Sequence, residues 1–396
     1  MISTILLFTT VLSTVSGRLD TAGSAVQRFA QTIGGTARRR VLLPIGRALD
    51  RLLAPVDRAF EPASNAYNRL LGPYFGAMTG LQFALILVSV VALLTAGVWA
   101  PAVGPLVGGG LLRTLALASI WAIFAMSWDI QSGYTGYISF GHSVLSGAAG
   151  YTTALLIVHV DPELSIWITG PLSVLAALVV GLLVALPTLR LEGPYFSLIT
   201  FVAVLLFYRL TTAYGWLGGI PGFGDPDVFT WDPVVRYYYM VIPMLLIALA
   251  LTFMARSNLG MILVAIRENE AAVSAAGINP TKFKIWSFAL SSIPMGIGGV
   301  LLVGFTGNVD PDTFVIVDNS IEMIAMAVIG GMSSILGPLG GAFFFEFLNH
   351  QIFHGFSTPV RYLFLWGLVL LVLVFARDGL FRMIWHRLGA VRGESE

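Results

Sequence analysis

Between residues 81 and 376 the chain carries one apolar stretch after another, each close to the length of about 20 residues that a helix needs to cross a bilayer. They run Leu81–Ala100, Leu111–Trp128, Ser139–Val158, Trp167–Pro187, Tyr195–Tyr214, Tyr237–Met254, Ile285–Phe305 and Val360–Ala376. Lipid offers no partner to a backbone N–H or C=O, so such segments must bond their backbones internally, as helices do. Charged residues are 11% of the chain and hydrophobic ones 57%. A soluble domain holds about 25% charged residues. The predicted class is an all-α polytopic membrane protein.

One segment does not fit a simple span. Ile321–His350 would reach about 45 Å as a continuous helix, more than the hydrocarbon core needs. It is broken by GGMSSILGP, Gly330–Pro338. The expected form is a broken helix pair that enters and leaves on the same face, beside about eight full spans. Charge asymmetry agrees. With the basic N-terminal arm in the cytoplasm, Arg190, the 256–284 loop and a tail bearing Arg377, Arg382, Arg387 and Arg392 fall inside. Asp161 and Glu163, Asp225, Asp227 and Asp232, and Asp310, Asp312 and Asp318 fall outside. The tail stays inside only if Ile321–His350 does not cross once and stop.

Three regions follow: 1–80 as an apolar segment plus arginine-rich arm, 81–376 as the membrane domain, and 377–396 as a cytoplasmic tail. Met1–Ser16 is apolar but short, and reads as a signal-like segment, an interfacial helix or a marginal anchor. In the arm, Leu42, Ile45, Leu49 and Leu52 recur at helical spacing opposite Arg47 and Arg51, ahead of Pro55. That pattern fits a helix on a membrane surface, and equally a mobile basic arm.

The longest polar connection is Arg256–Lys284, which holds the only two lysines, Lys282 and Lys284. Its alanines favour helix, and Gly277 with Asn279-Pro280 supplies a stop. A cytoplasmic helix of this kind suggests a docking surface. Three other stretches are candidates for a path through the membrane. In GYTGYISFGHSVLSGAAGY, Gly133–Tyr151, Tyr137, Ser139, His142 and Ser143 crowd the start of a span, with Gly147 and Gly150 suited to close helix approach. Tyr195 and Phe196 lie in LEGPYFSLIT, ahead of a Gly-rich outer loop, Gly215–Pro226. At the 330–338 break, Gly330, Gly331, Ser333 and Ser334 would leave backbone groups free for a polar substrate.

Absences narrow the function. Without cysteine there are no disulfides, thiolate metal sites or cysteine catalysis. No GxxxxGK[ST] occurs, so the chain is not a Walker-type ATPase, and energy comes from a partner or transport is passive. A net charge of +1 argues against nucleic acid. Glu346, His350 and His354 share a helical face at metal-compatible spacing, but there is no HExxH and a wet helix end explains them as well, so no metal is assigned. Arg113, Asp129, Arg209 and Glu322 lie near span ends, where snorkelling lowers their cost.

Four stretches in this order, GYTGYISFGH, LEGPYFSLIT with GGIPG, SNLGMILVAIRENEAAVSAAGIN and IGGMSSILGP, resemble the LivM-like permease subunits of branched-chain amino acid ABC transporters, whose relatives also import urea and short amides. The resemblance covers about residues 111–376. It implies a multi-pass protein of a prokaryotic plasma (inner) membrane, a second related LivH-like permease, two cytoplasmic ABC ATPases that bind the ATP and Mg, and an extracytoplasmic solute-binding protein. It implies no cofactor and no catalysis on this chain. Residues 255–284 would be the cytoplasmic coupling loop. There Glu270-Ala271-Ala272 followed by Gly277 resembles the EAA motif, with one more residue before the glycine than is common. Arg267, Glu268 and Glu270 are the expected ATPase contacts, and Gly277 the turn.

Overall fold

A computed structural model of the chain describes residues 43–72, 77–103, 110–161, 163–188, 194–224, 232–353, 355–376 and 378–390. Met1–Ser16, Arg38, Arg39 and Arg40, Arg190, Asp225 and Asp227, His354, Arg377 and Arg392, named above, lie outside the described residues, as does the LEG that opens the LEGPYFSLIT stretch.

The described chain is helical almost throughout. Its helices are α1 Leu43–Leu70, α2 Gly80–Val103, α3 Leu111–Trp128, α4 His142–His159, α5 Ile166–Thr188, α6 Pro194–Ala213 and α7 Pro233–Arg256. They continue with α8 Asn258–Ala275, α9 Pro280–Thr306, α10 Pro311–Phe314, α11 Val317–Gly330, α12 Leu336–Phe347, α13 Thr358–Phe375 and α14 Leu380–Ala390. Among the described residues eight helical segments are long and apolar enough to cross a membrane: α2, α3, α5, α6, α7, α9, α13 and Pro311–Gly330. The chain is therefore a multi-pass membrane protein.

The spans sort by burial. Most of α3 and α9 is buried, 78% of the apolar window in each, against 17% in α2 and α13. Accordingly α3 and α9 carry Ala, Ser and Gly where α2 and α13 carry Leu, Val and Phe: helices inside a bundle gain from close packing, those facing lipid from apolar bulk. The expected span 139–158 appears as α4, which is not among the eight apolar segments. Its residues from His142 to Tyr151 are all buried. Enclosed by α5 and α9, it meets little lipid and can be built from Gly, Ser and Ala. Gly147 and Gly150 do permit close approach: a Cβ there would stand 2.8 Å from Val315 Cγ2 and 2.6 Å from the Phe314 ring.

At the end of the bundle away from α8, two loops join. β1, Phe223–Gly224, pairs antiparallel with β2, Asn308–Val309, fastening the Gly-rich loop after α6 to the turn after α9. Phe223 packs edge-on against Tyr151 and His159. Gly222 has φ +72°, and a Cβ there would strike the Val309 carbonyl and lie 2.6 Å from Asp310 Cα. Gly222→Ala is expected to cost about 2 kcal/mol from left-handed backbone strain and overlap, read as faster hydrogen exchange at Val309 with the spans unaffected.

The broken pair is present. α11 and α12 are antiparallel neighbours joined by a non-helical turn at 331–335, and Gly331 takes φ +107° there. The turn lies at the α8 end of the bundle rather than midway, because α11 with α10 provides 20 residues of apolar length before it. Beneath it runs the start of α14, where the Phe381 and Phe344 rings meet at 6.3 Å.

The arm departs from expectation. α1 runs unbroken through Pro55 and Pro62, well beyond the helical pattern read at 42–52. Both prolines lie on its exposed side, so the carbonyls they free face outward, where solvent can satisfy them.

Candidate coupling site and path residues

α3 ends in a π turn, Asp129–Gly133, which aims the fully buried Asp129 carboxylate at the turn between α11 and α12. Its two oxygens accept the backbone N–H of Ser333 at 2.7 Å and of Ser334 at 3.1 Å. Ser333 Oγ donates to the Gly133 carbonyl at 2.7 Å. Arg267 of α8 donates to that same carbonyl at 2.9 Å and to Ser333 Oγ. Three separate elements thus meet at one knot. A side chain at 133 would overlap the Asp129 carboxylate, which accounts for the glycine.

A second junction lies alongside. α8 breaks at Asn269, whose extended backbone ends one helix and whose Oδ1 accepts the Ala272 N–H at 3.0 Å, opening a short second helix from Glu270. The Glu270 carboxylate turns into the bundle, where it accepts from Lys284 Nζ at 2.8 Å and from the Tyr137 hydroxyl at 2.5 Å. Lys284, its side chain 3% exposed, also sits 4.3 Å from the Tyr137 ring centre, a cation–π contact. Tyr137 in turn stands edge-on to the buried Phe196. Burial raises the Glu270 pKa, but the hydrogen bonds from Lys284 and Tyr137 and the lysine charge outweigh it and hold the carboxyl below the usual glutamate range.

Gly277 closes the short helix, the stop read from the sequence. It has φ +83°, and the Ile278 N–H returns to the Val273 carbonyl at 3.2 Å, a Schellman closure. Arg267 and Glu270, the expected ATPase contacts, bond residues of this chain. Glu268, Ala271, Ala272, Ser274, Ala275 and Gly277 remain exposed. The outward face of the short helix is therefore small and nearly uncharged.

The expected path residues separate into groups. Ser139, His142 and Ser143 are fully buried at the start of α4. His142 Nδ1 lies 3.1 Å from Ser139 Oγ and its ring 5.5 Å from Phe288, while the Ser143 N–H donates to Ser320 Oγ of α11 at 3.1 Å. Tyr195 is exposed at 65%. The N–H groups of Ser333 and Ser334, expected free for a substrate, are taken by Asp129, and Gly330 and Gly331 are buried in the turn. Of the weighed metal set, His350 Nδ1 lies 2.9 Å from Glu346.

Asp129 and Lys284 were the residues whose importance sequence reasoning missed. The available signal was rarity: a lone carboxylate after an Ala- and Ile-rich span, and one of two lysines. Each is costly to bury unless paired.

A central pair of small-residue helices, a broken hairpin and a helix held against its tip make up a polytopic membrane protein, and its family is that of membrane permeases. The chain belongs to the family described as branched-chain amino acid transport system / permease component, whose model matches residues 110–374. It is similar to the high-affinity branched-chain amino acid transport system permease protein LivM of Escherichia coli K12, 26% identical over 323 residues, 73% of this chain and 75% of that protein. It is also similar to a probable LivM of Methanocaldococcus jannaschii, 26% identical over 66% of this chain and 90% of that protein. A ribose import permease, RbsC of Haemophilus influenzae, is 26% identical over 61% of this chain and 76% of that protein. No solved structure matches the chain.

Proposed function

We propose that the chain is the LivM-like permease subunit of a prokaryotic inner-membrane ABC importer for branched-chain or related hydrophobic amino acids. Its partners in this reading are a second permease, two cytoplasmic ATPases that hold ATP and Mg, and an extracytoplasmic binding protein. The α8 end faces the cytoplasm: Arg256, Arg267, Lys282 and Arg382 gather there, while Asp310 and Asp312 lie by the β ribbon, the distribution the positive-inside rule favours. No chemistry occurs on the chain; it moves solute by alternating between two arrangements of its spans.

The observation that carries the reading is the double nature of the short helix 270–275. Its inner side is tied to α9 and to the 133–137 segment by Glu270, Lys284 and Tyr137. Its outer side offers Ala271, Ala272, Ser274 and Ala275, a narrow knob that fits a groove on an ATPase. Movement of that knob passes through the Glu270 junction into α9 and through Arg267 into the hairpin turn. Ser139, His142 and Ser143 lie where α4 would shift against α11, and with Phe196, which stands edge-on to Tyr137, form the side of the path this chain contributes.

The test is reconstitution of the chain with its ATPases, second permease and binding protein. Ala272→Trp and Ala275→Trp are expected to abolish ATP-driven uptake while thermal unfolding of the isolated permease stays unchanged. Unimpaired uptake would remove the coupling assignment. Competition of labelled leucine uptake by isoleucine and valine, against ribose and urea, reads the substrate class separately.

A further inference from the structure

We propose that α1 is a lipid-binding belt: its apolar stripe sits in the acyl boundary beside α2 and its arginine stripe holds anionic phospholipid headgroups. α1 lies outside the residues that match the family, and the inference rests only on the chain being a membrane protein.

A helix packed on a globular protein turns its apolar stripe inward. α1 does the reverse. The stripe that meets the bundle is Asp57, Glu61, Ser64 and Asn68, residues three and four apart. Asp57 Oδ1 accepts the Leu81 N–H at 2.7 Å in the first turn of α2. Asn68 exchanges two hydrogen bonds with the backbone of Met78, at 2.8 and 2.9 Å. Ser64 is fully buried. Apolar residues are left on the outer side: Val56 is 37% exposed and Leu70 73%, with Leu71 just past the helix at 45%, while Tyr67 at the edge of the stripe packs on Phe83 of α2, ring centres 5.6 Å apart.

The attachment fixes the depth. Leu81 opens an apolar span, so a helix bonded to its N–H lies at the level where hydrocarbon gives way to headgroups. At that level an outward apolar stripe is covered by acyl chains. Arg58 and Arg69 are exposed on a further side of α1, and being eleven residues apart they share one face, while Asp57 and Glu61 lie on another. Arginines held on one face at headgroup depth complement an anionic phospholipid surface.

The chain has no cysteine, so single spin labels can be placed in the full-length protein. In vesicles of phosphatidylcholine and phosphatidylglycerol, labels at Val56→Cys and Leu70→Cys are expected to relax several-fold more with oxygen than with a nickel chelate, and a label at Arg58→Cys the reverse. Nickel access at Val56 and Leu70 would place the stripe in water; loss of access to both reagents would place it against protein. Either result overturns the proposal. Phosphatidylglycerol retained through purification is expected to fall about fivefold or more in Arg58→Gln/Arg69→Gln and to persist in Arg58→Lys/Arg69→Lys. Equal retention in all three proteins would remove the headgroup assignment. None of these readouts involves transport, so they can fail while the importer reading stands.

Discussion

Glu270→Ala is expected to cost about 3–5 kcal/mol, because it leaves Lys284 buried and without its anion. Lys284→Met is expected to cost less, about 1 kcal/mol, since Glu270 is 31% exposed, reaches water and keeps the Tyr137 hydroxyl. The double replacement should therefore be more stable than Glu270→Ala alone. Thermal unfolding of the four proteins in detergent measures the asymmetry; equal losses in the two single variants would mean that the pair is not held as described. The pH dependence has a definite sign. A carboxyl whose folded pKa is depressed contributes stability above its unfolded value, and loses it as pH falls through the folded one. The contribution is thus complete at neutral pH and fades only below the ordinary glutamate value of 4.5. In Glu270→Gln that acid-side loss should disappear.

Asp129→Ala is expected to release the turn between α11 and α12. Two partly buried N–H groups lose their acceptor, and leaving such a group unpaired costs about 1–3 kcal/mol each. A combined local loss of about 3 kcal/mol would speed amide exchange at Ser333 and Ser334 roughly a hundredfold. Asp129→Asn keeps one acceptor oxygen and is expected to fall between. Exchange at these two amides no faster than in the wild type would show that another group holds the turn. Because Arg267 bonds the same knot, the loosened turn should also raise exchange at the end of α8 nearest it.

Much of the architecture was legible before any coordinates. Hydropathy located seven of the eight apolar segments near their observed bounds, since a lipid-facing helix advertises itself by composition alone. The 330–338 break was legible from its glycines and proline, and Gly277 from its place after a run of alanines. Residues 139–158 were legible as a helix although they are not apolar enough to count as a span, because their small residues signalled packing. The continuation of α1 past Pro55 was not, because local rules score a proline by the bond it removes and not by where the freed carbonyl points.

The site was less legible for a related reason. Sequence reasoning assigned polar residues of α8 to an outside partner, since charges on a loop helix ordinarily face water. Which way Glu270 and Arg267 turn depends on Lys284 and Tyr137, 14 and 133 positions away, and on Gly133 and Ser333. Nothing local encodes those distances.

By itself the amino-acid order determined the class, the helices, the break and the family likeness, all of which follow from composition and short-range pattern. Only the tertiary structure decided that Asp129 closes the hairpin turn, that Glu270 is an internal anchor, and that α1 shows its apolar side outward. Each is a pairing between groups remote in sequence, and burial makes such pairings obligatory without saying in advance which partner will be met.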